Sequence, residues 1–314
     1  MPGWDAASVG DQSGKTVVIT GANSGVGLEA ARVLAARGAT VVLACRDPQR
    51  AEGARAEISR QTPGTVTTIA LDLADLDSVR RCAAELRDLH PAIDALVNNA
   101  GVMGGARRST TQGFERQMGT NHLGHFVLTA RLWPAITAAP AGRVVNVSSL
   151  ASRSGKLDAD MTEQTLVDPQ PYRETAVYNN TKQANLLFSC ELQRRVDAAG
   201  LPVRAIAVHP GVSATKLFGR QVRENRFPFI RILGPGADAF ARIAFQSSAA
   251  GALPTVRGVV DPDLPGGSLV GPKFLGGSRG KPEILDMFTP GTDEKAAQRL
   301  WELSEQIVTE PFPL

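Results

Sequence analysis

Short apolar runs rich in β-branched residues recur along the chain, separated by longer stretches with helical periodicity. Six such runs, each about five residues long, are 16–20, 40–44, 66–71, 93–97, 143–147 and 203–208. Strands of a parallel sheet are buried on both faces, so they show near-continuous apolar runs instead of alternation. The pattern therefore predicts an α/β fold, with a doubly wound and mostly parallel sheet and helices on both faces.

The stretches between the runs carry helix signals. Residues 27–37, 75–89 and 178–196 place apolar residues on one helical face. Asp47 followed by Pro48 is typical of a helix N-cap and the first helical residue.

Two segments depart from this alternation of predicted strands and helices. Residues 151–176 are polar and irregular, and loops of this length usually carry function. Residues 216–236 mix phenylalanine and aliphatic residues with basic ones, which fits either a substrate lid or a packed surface helix. We expect both to border the mouth of a binding site, since each follows the carboxyl end of a strand. Residues 272–314 form a C-terminal extension, rich in glycine and proline at first and ending in a helix.

Composition and charge narrow the function classes. The 314 residues are 43% hydrophobic and 21% charged, which suits a globular protein and excludes collagen and wholesale disorder. A net charge of +3 and 5% aromatic residues do not favour nucleic acid or an anionic membrane as partner.

Cysteine, histidine and the N-terminal residues point to a reduced compartment. Three widely spaced cysteines and four histidines form neither a disulfide framework nor a metal-ligand cluster, so we expect no metal site. No signal peptide or apolar stretch of membrane-spanning length is visible. The expectation is a soluble, cytoplasmic protein with no membrane span.

A glycine-rich turn follows the first predicted strand and opens the first helix. Gly21, Gly25 and Gly27 have the spacing G-x-x-x-G-x-G. Glycines let the backbone approach a pyrophosphate closely, and a helix N-terminus offers free N–H groups and a favourable dipole. This turn predicts a dinucleotide site.

The end of the second predicted strand bears on the choice of dinucleotide. An NAD enzyme would place a carboxylate there to bind the adenosine ribose. This chain has Cys45 followed by Arg46, whose guanidinium suits the 2′-phosphate of NADP. Asp47 is the alternative ribose ligand, although its position before Pro48 favours helix capping. The sequence thus favours NADP(H), with NAD(H) as the alternative.

Several further motifs appear in a fixed order. They are TGANSGVG at 20–27, LDL at 71–73, NNAG at 98–101, NHLGHF from Asn121, VNVSS ending at Ser149, Tyr178-x-x-x-Lys182, and His209-Pro210-Gly211. Together they resemble the short-chain dehydrogenase/reductase family over about 13–271. The ACRD turn and the long segment before Tyr178 are most similar to its retinol dehydrogenase–like branch. The resemblance implies a single Rossmann-type domain over 1–314, with a sheet of about seven strands.

The resemblance also implies a set of site residues. The residues it assigns to the cofactor, together with Arg46, are Gly21, Asn23, Ser24, Gly25, Val26, Gly27, Asp72, Leu73, Asn98, Ala100, Gly101, Tyr178, Lys182, Pro210, Gly211, Val212 and Thr215. Asp72 would bind the adenine amino group, and the Val212 backbone would bind the nicotinamide carboxamide. Structural alternatives are a capping role for Asp72 and an Asn98 that bridges two strands.

Hydride transfer to a carbonyl needs a proton donor at the oxygen. Tyr178 and Lys182 are four apart and share one helix face, so the lysine charge could lower the phenol pKa. Ser149, at the end of the fifth strand, would hold the substrate oxygen beside Tyr178, with Ser148 as the alternative. The resemblance adds Asn121, which would hold Lys182 through a water.

These residues predict an NADP-dependent oxidoreductase that interconverts an alcohol and a carbonyl. The apolar residues of 216–236 favour a medium or large apolar substrate. Two other interpretations remain open: a dinucleotide-binding sensor without turnover, and a sugar-nucleotide epimerase on the same fold. The family often pairs its tyrosine-bearing helices across a dimer, so a homodimer is possible.

Overall fold

A computed structural model describes residues 4–212 and 246–314 of the chain. Its framework is a sheet of eight strands in the order β3-β2-β1-β4-β5-β6-β7-β8. The strands are β1 Thr16–Thr20, β2 Thr40–Cys45, β3 Val66–Ala70, β4 Ala95–Asn98, β5 Arg143–Val147, β6 Arg204–Val208, β7 Leu269–Lys273 and β8 Arg279–Leu285. All pairs are parallel except β7 with β8. The predicted Rossmann-type α/β fold is confirmed.

Helices cover both faces of this sheet. The regular helices of the described residues are α1 Gly25–Ala35, α2 Pro48–Ser59, α3 Leu76–Leu89, α4 Arg116–Met118, α5 Gly124–Ala138, α6 Glu163–Val167, α7 Glu174–Ala198, α8 Ser248–Val260 and α9 Glu294–Val308. A short distorted turn, Phe274–Gly277, joins β7 to β8. A π-helical turn, Gly119–Leu123, joins α4 to α5. Among residues 4–212 and 246–314, no helix combines the length and the apolar composition needed to span a bilayer.

The eighth strand falls in the segment that the sequence pattern treats as an extension. β8 is an edge strand whose residues are mostly exposed, and it pairs antiparallel with β7 so that Pro272 faces Pro282. Proline is tolerated at sheet edges because one side of an edge strand makes no ladder hydrogen bonds. An exposed edge strand therefore lacks the kind of apolar run by which β1 to β6 are found.

The two segments that depart from the regular pattern have different outcomes. Residues 151–176 contain a 3₁₀ turn, Leu150–Ser154, and the short helix α6. Leu157, Met161 and Leu166 of this segment are buried in the core, so much of it is packed. The segment 216–236 and Thr215 lie outside the described residues.

The two faces of the sheet carry separate apolar cores. One core packs β-strand side chains such as Val17 and Ile19 against α1, α2 and α8. The other packs the alternate residues, such as Val18, against α3, α5, α7 and α9.

An aromatic cluster joins the C-terminal helix to the second core. The ring of Trp301 in α9 lies 4.7 Å from Phe312 and 5.3 Å from Phe126 of α5, measured between ring centroids. It lies 5.8 Å from Phe188 of α7. Helix α9 therefore covers the outer face of α5 and α7, the helices that carry much of the candidate site.

This packing predicts that α9 stabilises the whole domain. Trp301 is 2% exposed, so Trp301→Ala should lower the free energy of unfolding by about 3–5 kcal/mol through lost apolar burial and a cavity. Urea unfolding followed by circular dichroism measures this. Gln306→Ala, at an exposed position of the same helix, is the matched control and should change the free energy by less than about 0.5 kcal/mol. A similar effect of the two substitutions would show that the aromatic cluster does not carry this stability.

Candidate active site

A cavity of about 1000 Å³ opens at the carboxyl ends of the strands. In open α/β sheets the crevice outside these strand ends is the usual ligand site. At one end it is lined by the glycine turn after β1 and by residues that follow β2 and β3. At the other end it is lined by residues that follow β5 and β6 and by the first turns of α7. One cavity thus brings together most of the motifs found in the sequence.

The glycine turn allows a close approach of backbones and ligand. Gly21 has φ +66°, and a Cβ there would lie 2.9 Å from the Cβ of Ala100. A Cβ at Gly27 would overlap the side-chain amide of Asn99. Ser24 precedes α1 without capping it through its side chain. The first amides of a helix lack intrahelical partners, so this end of the cavity offers N–H groups to an anion.

The predicted adenosine end contains two arginines. Arg46 lines the cavity, and so does Arg50, from the first turn of α2, which the sequence analysis missed. Asp47 caps α2, since its Oδ1 accepts from the Arg50 N–H at 3.0 Å. Cys45 is buried beneath them. Arg50 could have been identified from the sequence, because it is a second basic residue four positions after Arg46, in the first turn of the helix that Asp47 caps.

Asn98 does not line the cavity. Its side-chain amide nitrogen donates to Asn146 Oδ1 at 2.8 Å and to Thr129 Oγ1 at 3.0 Å. Asn98 also faces Asn146 in register across β4 and β5, so it bridges two strands, as the structural alternative proposed. The neighbouring Asn99 lines the cavity instead, with its amide nitrogen donating to the Thr20 carbonyl at 2.7 Å.

Asp72 and Leu73 both reach the adenosine end of the cavity. The Oδ1 atom of Asp72 accepts from the Ala74 N–H at 2.9 Å, which orients the carboxylate. This contact does not make Asp72 a helix cap, because the N-cap of α3 is Asp75.

Tyr178 and Ser149 meet at the opposite end. The Ser149 side chain lies close enough to the Tyr178 hydroxyl to lower the phenol pKa, and the Ser149 Oγ accepts from the Ala151 N–H at 3.2 Å. The neighbouring Ser148 points the other way, because its hydroxyl donates to the Lys182 carbonyl at 2.7 Å. Of the two serines, the structure brings Ser149 to Tyr178.

Lys182 lies one turn after Tyr178 on α7. Its Nζ donates to the Val147 carbonyl at 2.9 Å and lies 5.9 Å from the centroid of the Tyr178 ring. In the wall of the cavity Lys182 is buried and Tyr178 is half-buried.

Burial dominates the protonation of this pair. It raises the pKa of Tyr178 to about 12, against the opposing effect of the Ser149 hydrogen bond. It also lowers the pKa of Lys182 to about 8. The two causes that act on the Tyr178 pKa in this geometry are the loss of solvation, which is the larger, and Ser149. At neutral pH the site holds a phenol that can donate a proton, next to a cationic lysine.

Asn121 is hydrogen-bonded to a loop that lines the cavity, and its predicted link to Lys182 through a water stays a prediction. It lies in the π-helical turn, where its Oδ1 accepts from the Val102 N–H at 2.8 Å and its Nδ2 donates to the Val102 carbonyl at 2.9 Å. A Cβ at Gly101 would lie 3.4 Å from Asn121 Oδ1 and 3.6 Å from Lys182 Nζ. The side chain of Asn121 thus fixes the loop that passes beside Lys182.

The backbone of Val212 is already paired. Its N–H donates to the Ser278 carbonyl at 2.8 Å, and its carbonyl accepts from the Gln246 N–H at 3.0 Å. Val212 lines the cavity together with Pro210 and Gly211, as the motif predicted. A bond from its N–H to a nicotinamide carboxamide would have to replace the bond to Ser278. The spacing of the His-Pro-Gly motif does not reveal this pairing with a distant turn.

The loop after β4 forms a wall that sequence reasoning missed. The Gly104 N–H donates to Gln117 Oε1 at 2.9 Å, and the Gly105 N–H donates to Glu174 Oε2 at 2.6 Å. The same end of the cavity is lined by Val102, Met103, Leu150, Ala151, Thr175 and Asn179. Substrate-facing residues follow no fixed spacing, so only the fold could bring them together.

Comparison with known proteins agrees with this geometry. A family profile described as short chain dehydrogenase matches residues 15–159. Retinol dehydrogenase 13 of Homo sapiens is 38% identical over 94% of this chain and 85% of its own length. The chain belongs to the short-chain dehydrogenase/reductase family. The resemblance to the retinol dehydrogenase–like branch is also confirmed, because retinol dehydrogenase 14 of Mus musculus is 34% identical over 94% of this chain.

Solved structures support the same family. An uncharacterized protein from Mycobacterium paratuberculosis is 40% identical, with a TM-score of 0.80 over 99% of this chain and 100% of its own. A second, assigned as an NAD(P)-dependent gluconate 5-dehydrogenase of Beutenbergia cavernae with bound NADP, is 26% identical with a TM-score of 0.61. The match extends over 80% of this chain and 91% of the chain in that structure. This short-chain dehydrogenase/reductase is therefore an NAD(P)-dependent oxidoreductase of alcohol and carbonyl groups.

The buried lysine predicts a distinctive pH dependence of stability. Because burial lowers the Lys182 pKa from 10.5 to about 8, the charged form is unfavourable in the folded state. Lys182→Met should therefore stabilise the protein at pH 7, by about 3 kcal/mol at most. The wild type gains stability relative to the variant as pH rises from about 8 to 10.5, so the difference should shrink there.

Urea unfolding at pH 7, 9 and 10.5 measures this difference. The Val147 carbonyl keeps a partner in the variant, since Asn185 Nδ2 donates to it at 3.0 Å. Lys156→Met, at an exposed position, should show no such gain. A Lys182→Met variant that is destabilised equally at every pH would contradict the inferred burial of the charge.

Proposed function

We propose that this chain is an NADP(H)-dependent reductase and dehydrogenase that acts on a medium-sized or large apolar carbonyl and its alcohol. The observation that carries the proposal is the meeting of Ser149, Tyr178 and Lys182 in the cavity that also contains the glycine turn. A sensor without turnover would not need a phenol placed next to a serine hydroxyl and a buried lysine.

Each of the three residues has a distinct task. The Tyr178 hydroxyl donates its proton to the carbonyl oxygen in reduction, and the high pKa of the phenol keeps that proton available at neutral pH. Ser149 holds the same oxygen through its hydroxyl. Lys182 keeps a positive charge beside Tyr178, which stabilises the phenolate left behind. The nicotinamide supplies the hydride when it is bound.

The proposed apolar substrate rests on the wall after β4. Val102, Met103 and Leu150 present apolar side chains to the end of the cavity that holds Tyr178. The names of the curated relatives, which are retinol dehydrogenases, agree with an apolar alcohol or aldehyde.

The proposed preference for NADP(H) rests on charge at the other end of the cavity. Arg46 and Arg50 both line it, and Asp47 is engaged as a helix cap. Two guanidinium groups suit a 2′-phosphate, whereas a ribose hydroxyl pair would favour a carboxylate. NAD(H) remains the weaker alternative.

Two other sequence-based possibilities receive less support. A sugar-nucleotide epimerase would need polar groups for a second nucleotide, and the cavity walls near Met103 and Leu150 are apolar. A homodimer that pairs the α7 helices would compete with α9, which already covers the outer face of α5 and α7 through Trp301.

The catalytic prediction is a loss of turnover in Tyr178→Phe with little change in cofactor binding. Removing the proton donor should lower turnover by about 10²–10⁴-fold, because general acid catalysis contributes that much. Tyr172→Phe is the control: its hydroxyl contacts Gln117 Nε2 at 3.2 Å, and its side chain does not line the cavity. Turnover is followed by the absorbance of NADPH with a panel of apolar aldehydes and ketones, and binding by NADPH fluorescence.

The outcome for the wild type decides the proposal first. If the wild-type protein binds NADPH but reduces none of the aldehydes and ketones, the result favours the interpretation as a sensor without turnover. If Tyr178→Phe keeps more than about a tenth of the wild-type turnover, Tyr178 is not the proton donor.

The cofactor prediction concerns the two arginines. Wild-type protein should bind NADPH more tightly than NADH, and Arg46→Ala should remove about tenfold to a hundredfold of that difference. Arg50→Ala should act in the same direction, because its guanidinium would face the same phosphate. Arg60→Ala, at the far end of α2, should leave the ratio unchanged. Fluorescence titration with both cofactors measures the ratio, and equal wild-type affinities would overturn the assignment.

A further inference from the structure

His125 is a buried histidine at the start of α5, and it touches two parts of the site at once. It is 2% exposed. Its Nε2 lies 2.9 Å from the hydroxyl of Thr20, the last residue of β1. Its Nδ1 lies 3.1 Å from the carbonyl of Asn121, in the π-helical turn. The ring therefore links the strand that leads into the glycine turn with the turn that carries Asn121.

The hydrogen bonds determine which ring nitrogen carries the proton. A carbonyl oxygen can only accept, so the contact with Asn121 places the hydrogen on Nδ1. Burial lowers the pKa of His125 to about 4, and the nearby Lys182 charge adds to this effect. The ring is therefore neutral at physiological pH, and Nε2 accepts a hydrogen bond from the Thr20 hydroxyl.

Donation to His125 fixes the orientation of the Thr20 hydroxyl. Its oxygen then accepts from the N–H groups of Asn99 and Ala100, each at 2.9 Å. Without His125, the hydroxyl proton could turn to the Val97 carbonyl, 3.3 Å away.

The loop 99–102 is thus held at both ends. Thr20 holds its first two amides, and the Asn121 side chain holds the N–H and carbonyl of Val102. The loop lines the cavity, and in its middle Gly101 passes beside Lys182. His125 contacts both of the residues that hold the loop, Thr20 and Asn121.

We propose that His125 is a positioning residue, which ties Thr20 to Asn121 and so keeps the loop 99–102 in place against the cofactor and Lys182. It acts through these two residues and touches neither substrate nor cofactor. The inference rests on the proposed function for its effect on turnover, while its effect on cofactor binding does not require turnover.

The chain supplies its own control for burial alone. His122 lies in the same π-helical turn, is 1% exposed, and has a pKa that burial lowers to about 3. Its Nε2 contacts the Ser304 hydroxyl of α9 at 2.8 Å, on the side away from the cavity. Replacing either histidine disturbs a buried hydrogen bond in the same region, but only His125 contacts Thr20 and Asn121.

The experiment compares His125→Leu with His122→Leu. We expect His125→Leu to lower kcat about tenfold and to weaken NADPH binding about tenfold, with little change in the KM of the carbonyl substrate. His122→Leu should lose similar stability in urea but keep kcat and NADPH affinity within about twofold.

Two amide variants test the two ring nitrogens of His125 separately. His125→Asn puts an amide near the Nδ1 position, and His125→Gln puts one near Nε2, so each should recover part of the loss.

Thr20→Val tests the same link from the other side. It should weaken NADPH binding by a similar factor, and the double variant with His125→Leu should be no worse than the more affected single one, because the residues act as a unit. If His125→Leu fails to fold, Thr20→Val and the two amide variants give the answer. The proposal is overturned if the folded His125 variants and Thr20→Val bind NADPH and turn over as His122→Leu does. A wild type that reduces no carbonyl would refute the proposed function alone, because NADPH affinity still tests His125.

Discussion

The candidate site depends on polar contacts between α7 and the end of β5. A long helix packed on a sheet normally presents an apolar stripe, yet this stripe in α7 includes Lys182, Asn185 and Ser189, all buried. Each is satisfied: Lys182 Nζ and Asn185 Nδ2 share the Val147 carbonyl, and Ser189 accepts from Asn146 Nδ2 at 2.9 Å. Unpaired polar groups at such positions would cost about 1–3 kcal/mol each, so these bonds fix the register of helix and strand. That register brings Tyr178 to Ser149.

A second constraint comes from the parallel sheet. The neighbouring strands β1 and β4 end at the same edge, so the glycine turn and the loop 99–102 must pass close together. Gly21 and Gly27 make this possible, because a Cβ on either would overlap or crowd the loop. The loop is then held by side chains from β1 and the π-helical turn. The glycines thus serve internal packing as well as access to a pyrophosphate.

The sequence was sufficient for features that depend on local spacing. Apolar runs located six of the eight strands, β1 to β6, and the four-residue step from Tyr178 to Lys182 placed both on one face. The sequence was not sufficient for features that depend on strand register or on the burial of titratable groups. Whether Asn98 or Asn99 faces the cavity depends on the pleat of β4, and the pairing of the Val212 N–H depends on a distant turn near Ser278. The exposed edge strand β8 lacks the apolar run that would reveal it.

Desolvation also decides how the site works as an acid or a base. With its pKa raised to about 12, Tyr178 carries its phenol proton at pH 7. Donating a proton to a carbonyl oxygen uses the abundant form, whereas accepting one from an alcohol uses the rare one. The Lys182 ammonium lies 5.9 Å from the ring centroid, with one bond committed to the Val147 carbonyl. Reduction can therefore use the pair as the fold presents it, with the phenol as the proton donor.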